Sequence, residues 1–184
     1  DRVEKEIDKL TSIDVDTKVF EGIYKDSTEV KKIFEKGYET AYKKTNRQTY
    51  QAMEAFIHNL NTMHSRAGAQ VPFSSVNFGT DTSPEGRMVI KNFLLATDAG
   101  LGRNETPIFP ISIFKLRKGT NYEVTDPNYD LFKLAIKVSA KRLFPNFSFM
   151  DSSFNKPYYK GDYNTEVAYM GCRTRVMANV VDED

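Results

Sequence analysis

The sequence has a single cysteine, Cys172, in 184 residues. One thiol forms no internal disulfide and cannot supply a tetrahedral cysteine zinc site, so the chain reads as intracellular, with a cytoplasmic location expected. An excess of one charge sign is also missing. Lys and Arg number 26 against 25 Asp and Glu, a formal net charge of +1, which gives no global electrostatic reason to expect nucleic acid or an anionic membrane as partner. Any basic site has to be local. No apolar run approaches the roughly 20 residues that cross a bilayer, and the opening Asp1-Arg2-Val3-Glu4-Lys5-Glu6 is charged where a signal peptide would be apolar. The local signatures of P-loop NTPases, nicotinamide enzymes, zinc proteases and serine hydrolases are all absent. Histidine is scarce as well: His58 and His64 would stand about 120° apart on a helix and read as ordinary packing or surface residues.

What is present suits a folded domain. Forty per cent of the residues are hydrophobic and 12% aromatic, enough for a buried core and too much for a disordered chain. Most of the aromatic residues fall on predicted strands or at core spacing, which favours packing over base stacking. The length fits one compact domain or part of a larger protein. A start without Met, and a stop at Val180-Val181-Asp182-Glu183-Asp184 straight after a strand-like run, lead us to expect a fragment.

Residues 1–66 form a charged, helical region with amphipathic stretches at Val3 to Leu10 and Val30 to Tyr42, and a soft boundary near residue 66. Met53, Phe56, Ile57, Leu60 and His64 recur at helical spacing and predict a helix from Arg47 to Ser65. Over 67–184 the pattern alternates. Val71 to Phe78 predicts a strand ending at Gly79; Ser83-Pro84-Glu85 starts a helix that runs to Ala99 and stops at Gly100-Leu101-Gly102. Ile108 to Phe114 predicts a second strand, irregular at Pro110. A cap at Asp126-Pro127 then opens a helix burying Leu131, Leu134, Ala135 and Val138, and strands follow at Asn146 to Met150 and Val167 to Val176. Strand and helix in alternation make an α/β fold with a parallel sheet and crossover helices.

Cys172 lies between two chemistries. In Met170-Gly171-Cys172-Arg173-Thr174-Arg175-Val176 it stands beside two arginines, a setting that lowers a thiol pKa. On a regular strand, however, Arg173 and Arg175 point to the face opposite Cys172, and neither histidine is near in sequence to act as its base. On the residues alone it is either an inert core cysteine or a reactive one.

Several longer segments narrow the choice. They are His58-Asn59-Leu60-Asn61-Thr62-Met63-His64-Ser65-Arg66-Ala67-Gly68-Ala69-Gln70-Val71-Pro72-Phe73-Ser74-Ser75-Val76-Asn77-Phe78-Gly79-Thr80, Glu85-Gly86-Arg87-Met88, Glu105-Thr106-Pro107-Ile108-Phe109-Pro110, Lys141-Arg142-Leu143-Phe144-Pro145-Asn146 and Tyr169-Met170-Gly171-Cys172-Arg173-Thr174-Arg175-Val176. In order, across residues 46–180, they resemble class III, anaerobic ribonucleoside-triphosphate reductases.

That resemblance implies part of a ten-stranded glycyl-radical-enzyme barrel, preceded by a helical region that forms an effector and dimer interface. It implies that Cys172 carries a transient thiyl radical that removes the ribose 3′ hydrogen, with formate as reductant. Hydrogen-atom exchange needs no base to activate the sulfur, which answers the missing histidine. The resemblance further implies a ribonucleoside triphosphate substrate, ATP or deoxynucleotide effectors, an iron-sulfur, S-adenosylmethionine-dependent activating enzyme and a homodimer. Expected substrate contacts are Ser75 and Asn77, which share one face of their strand, and Met170. Lys31, Lys32, Lys43, Lys44 and Arg47 either bind an effector triphosphate or form a solvated helix face. The radical glycine, the zinc site and the family's second active-site cysteine have no counterpart in the chain, so it is expected to be inactive alone. Another glycyl radical enzyme and a non-catalytic nucleotide-binding module are the alternatives.

Overall fold

The computed structural model describes residues 28–64, 67–171 and 174–177; the stretch Val3 to Leu10, and Cys172 and Arg173, lie outside them. Thr28–Thr62 forms one helix, α1, where the sequence predicts two. The expected break, Lys43-Lys44-Thr45-Asn46, contains neither Gly nor Pro to interrupt the ladder of backbone hydrogen bonds. Ile57 is fully buried, and Tyr50 and Met53 pack beside it. Phe56 and His64 are exposed, so the buried stripe is narrower than the spacing suggested.

Five elements then alternate: β1 (Ser75–Phe78), α2 (Pro84–Ala99), β2 (Ile111–Leu116), α3 (Tyr129–Arg142) and β3 (Asn146–Phe149). The three strands form a parallel sheet in the order β1-β2-β3, the expected α/β arrangement with crossover helices. Both of the first two strands start later than predicted: β1 begins at Ser75, three residues after Pro72. At β2 the reason is that proline lacks the amide hydrogen that a ladder needs. β2 begins at Ile111, whose N–H donates to the Ser74 carbonyl (2.9 Å), one residue after Pro110. The backbone before Pro110 finds a different partner: Asn61, near the end of α1, accepts from the amides of Ile108 and Phe109 (2.8 and 3.0 Å) and donates to the Phe109 carbonyl (2.6 Å).

α2 follows the predicted signals. The Ser83 hydroxyl caps it by accepting from the Gly86 amide (3.1 Å). Its end at Gly100 has φ +78°, and a Cβ there would stand 2.3 Å from the Glu105 carbonyl oxygen. α3 departs from prediction at its start. Asn128, not Asp126, is the capping residue, and the Asp126 carboxylate instead accepts from the amides of Tyr122 and Glu123 (2.9 and 2.8 Å). The other end is held by Arg142, a buried guanidinium that donates to the carbonyls of Asp98, Ala99 and Asn104 and so closes the C-terminus of α2.

The core lies between the sheet and the helices. Phe114 and Leu116 of β2 pack with Ile90, Leu94 and Leu95 of α2 and with Leu131, Leu134, Ala135 and Val138 of α3. Phe78, Phe132 and Phe147 surround Phe114 with ring centroids 5.5, 6.2 and 6.0 Å away.

Candidate active site

Alternation along the strands gives the sheet a second, different face. Phe78 and Phe114, in register, turn toward the helices. Ser75 and Asn77 therefore lie on the opposite face with Ile111, Ile113 and Lys115, and register adds Asn146 and Ser148. This second face is polar, and the chain after β3 returns to it.

That return ends in a hairpin, β4 (Ala168–Met170) paired antiparallel with β5 (Thr174–Val176), with Met170 opposite Thr174. The sequence predicts one strand over Val167 to Val176, and Gly171 is the reason it fails. Its φ of +65° lies in the left-handed region, which ends an extended strand, and an added Cβ would come within 3.2 Å of the Phe73 ring. In the sequence Cys172 falls between β4 and β5. The expectation that Arg173 and Arg175 oppose Cys172 across a strand falls on Cys172 and Arg173, which lie outside the described residues. Arg175 donates to the Phe154 carbonyl (2.7 Å) and lies near the Tyr158 ring, 5.2 Å from its centroid.

Two side-chain anchors tie the hairpin to the sheet. Asn77 donates through Nδ2 to the Tyr169 carbonyl (2.7 Å) and accepts through Oδ1 from the Tyr169 amide (2.8 Å). Three residues earlier, Glu166, with only 5% of its side chain exposed, accepts from Lys115 (2.8 Å) and pairs with Arg117 at the end of β2. Thr80, just beyond β1, donates to the same carboxylate (3.3 Å). Val167 is buried between the anchors. The Tyr169 hydroxyl meets the buried Asn155 side chain (3.1 Å). Arg117 also lies under the Tyr159 ring, 3.8 Å from its centroid.

The loop ends nearby rest on buried amides and one ion pair. Asn121 donates to the carbonyls of Gly79 and Lys115 (2.9 and 2.8 Å), and Asn128 donates to those of Gly79 and Asp81 (3.1 and 2.7 Å). Arg87 donates to Asn128 Oδ1 (2.6 Å), pairs with Asp130 (2.7 Å) and also bonds the Pro127 carbonyl. Gly86 leaves room for the Asp81 carboxyl group, which an added Cβ would approach to 2.2 Å. Several of the motif residues quoted above thus hold backbone in place.

The predicted site residues divide accordingly. Asn77 and Met170 meet at the hairpin, Asn77 through Tyr169, and Ser75 lies on the same strand face; Met170 is 59% exposed. The five cations of α1 are remote from these anchors in the chain. Of them Lys32, Lys43, Lys44 and Arg47 are exposed, and Lys43 pairs with Glu39 (2.6 Å). By helical rotation Lys32, Lys43 and Arg47 share a face within about 60°, while Lys44 stands about 100° from Lys43. The hydrogen bond and charge of Lys43 hold the Glu39 carboxyl below the usual glutamate range. Sequence reasoning missed Lys115, Arg117 and Glu166. A signal existed for two of them: in Ile111-Ser112-Ile113-Phe114-Lys115-Leu116-Arg117, cations take alternate places of an apolar strand. Glu166 had none, since it comes from a loop distant in sequence.

Among the described residues no group of three or more His, Cys, Asp or Glu could hold a metal ion, so nothing described here fits a zinc site. No described helix is long and apolar enough to cross a membrane. The family model for anaerobic ribonucleoside-triphosphate reductase matches residues 11–183. The chain belongs to this family. Among anaerobic ribonucleoside-triphosphate reductases, those of Salmonella typhimurium and Escherichia coli K12 are each 35% identical over 135 residues, which is 73% of this chain and 18% of theirs. The reductase of enterobacteria phage T4 is 37% identical over 135 residues, covering 73% of this chain and 22% of its own. The chain thus spans about a fifth of the length of the curated reductases it matches. In this member of the reductase family, the β4–β5 hairpin is anchored to the polar face of the sheet through Tyr169.

Proposed function

We propose that the chain is a catalytic-core segment of an anaerobic reductase that converts ribonucleoside triphosphates to deoxyribonucleoside triphosphates, with Cys172 at the reacting centre. The observation that carries this reading is the union of family membership with the anchored β4–β5 hairpin, between whose strands Cys172 falls in the sequence. In this reading β1, β2 and β3 are three parallel strands of a ten-stranded glycyl-radical-enzyme barrel, their polar face turned inward. The family's glycyl radical supplies an acceptor for the hydrogen atom of the Cys172 thiol. Cys172, as a thiyl radical, then takes the 3′ hydrogen of the ribose, its S–H bond re-forming as the carbon becomes the radical centre. Loss of the 2′ hydroxyl as water follows, with formate as the reductant. Ser75, Asn77 and Met170 form the wall beside the substrate.

The same reading assigns ATP or deoxynucleotide effectors to α1, where Lys31, Lys32, Lys43, Lys44 and Arg47 lie. Their charge reversal should weaken effector binding, and unchanged binding would reject this part. A homodimer, a cytoplasmic setting and an iron-sulfur, S-adenosylmethionine-dependent activating enzyme complete the proposal. The radical glycine and the zinc site belong to other segments of the reductase.

Cys172→Ser in the intact, activated reductase is the decisive test. Serine is nearly isosteric, so nucleotide binding and the glycyl radical signal should persist. The alcohol O–H bond is much stronger than the thiol S–H bond, so no deoxynucleotide should form. Turnover within roughly tenfold of the parent, a barrier change of only about 1.4 kcal/mol, would overturn the assignment.

A further inference from the structure

Asn77 lies on β1, an edge strand of the described parallel sheet, and its side chain behaves like a piece of backbone. The amide donates to one carbonyl and accepts from one amide of the same residue, Tyr169, at 2.7 and 2.8 Å. This is the pair of bonds that a neighbouring strand would offer, and it fixes both height and register of β4 across the face of β1. Tyr169 is followed by Met170, Gly171 and Cys172, so Cys172 is separated from the bonded residue by at most about 11 Å of chain. The second anchor, Glu166 with Lys115, Arg117 and Thr80, restrains the other end of this segment.

We infer that Asn77 is a positioning residue for the reaction: it sets where the Cys172 hairpin sits over the sheet, and it acts through Tyr169 rather than through the substrate. The inference rests on the reading of Cys172 as the reacting group and deepens it by separating the two ways in which Asn77 can belong to the pocket wall. Both polar groups of its amide are engaged by protein backbone, each at good hydrogen-bond length. One hydrogen and one lone pair remain, but the two bonds to Tyr169 fix where the amide points, so its first task is to hold that residue. Hydrogen-atom transfer is sensitive to distance, and a displacement near 1 Å can cost roughly a hundredfold in rate. A side chain that places a hairpin therefore controls kcat without binding nucleotide.

The test uses the intact reductase, activated and assayed with a ribonucleoside triphosphate. Asn77→Ala should lower kcat at least about tenfold, leave KM within about twofold and raise hydrogen exchange at the Tyr169 amide, with the glycyl radical content unchanged. Asn77→Asp keeps the volume and the acceptor for the Tyr169 amide but sets a carboxylate against the Tyr169 carbonyl. Its kcat should also fall, and the ratio to the parent should recover as pH falls, because a protonated carboxyl regains a donor. A purely structural residue would not give that pH profile.

Parent-like kcat in both variants overturns the inference. So does a KM raised more than tenfold at parent kcat, which would place Asn77 on the substrate instead. If Asn77→Ala loses its radical content through misfolding, Asn77→Asp decides alone, and a ratio that stays flat with pH overturns the proposal. Cys172→Ser is assayed in parallel: turnover by that variant rejects the reading of Cys172, whereas an inactive Cys172→Ser beside a fully active Asn77→Ala rejects only the role of Asn77.

Discussion

The two faces of the β1-β2-β3 sheet are held by different physics. Toward the helices, Phe114, Leu131, Leu134 and Val138 are almost fully buried and carry no hydrogen-bonding side-chain group. Toward the hairpin, Asn77, Lys115, Arg117, Glu166 and Asn155 are joined by directed bonds and ion pairs. Apolar burial scales with area and accepts many shapes. A hydrogen bond requires a particular atom at a particular distance, and a buried group that loses its partner is costly. The first face can therefore supply stability, while the second specifies where a segment of chain sits. The β4–β5 hairpin sits on the second kind of face.

The contrast breaks first on stability. Leu131→Ala should destabilise by about 4 kcal/mol, read by urea unfolding, because the residue is fully buried and a cavity would remain. Leu131→Met should cost less than about 1.5 kcal/mol, since the volume is nearly kept. A comparable loss from both would mean that the helical face is as shape-specific as the polar one.

Glu166→Gln is expected to come next, at about 3 kcal/mol, although it changes almost no volume. It leaves Lys115 and Arg117, whose side chains are 10% and 13% exposed, without their anion. Hydrogen exchange should rise first over 166–177 and only weakly over α3. An isosteric change that is silent here would remove the distinction between the faces.

The smallest effect lies on the solvated side of α1. The Glu39 carboxyl is held below its usual range by Lys43. Its folded value is depressed, so the pair supports the helix above the ordinary glutamate pKa, and the support is lost as pH falls through the lowered value. Amide protection near Glu39, taken relative to the intrinsic exchange rate at each pH, should fall slightly on acidification in parent protein and show no such step in Lys43→Ala. Added salt should shrink the difference, because both side chains are exposed. A large step would mark α1 as more than a solvated face.

Much of the fold was readable because the signals were local. The Ser83-Pro84-Glu85 start and Gly100 stop of α2 need only neighbouring residues, as do the buried positions Leu131, Leu134, Ala135 and Val138 of α3. The breaks in prediction came where a local signal had a rival partner. Asp126 looked like a cap but bonded the amides of Tyr122 and Glu123, while Asn128 took the cap position and turned its amide to Gly79 and Asp81. The run from Val167 to Val176 has strand composition throughout, yet Gly171 at positive φ divides it.

By itself the sequence determined the alternation of strands and helices, the family and the identity of the one cysteine, because each is encoded in residue order and spacing. Only tertiary structure decided that Asn77 meets Tyr169, 92 positions away, and that Glu166 meets Lys115, 51 positions away. Neither pair leaves a periodic mark, since a single side chain meeting one distant group has no repeat to read. The register of the parallel sheet sets which residues share a face, and the chain's return across that face sets which of them meet.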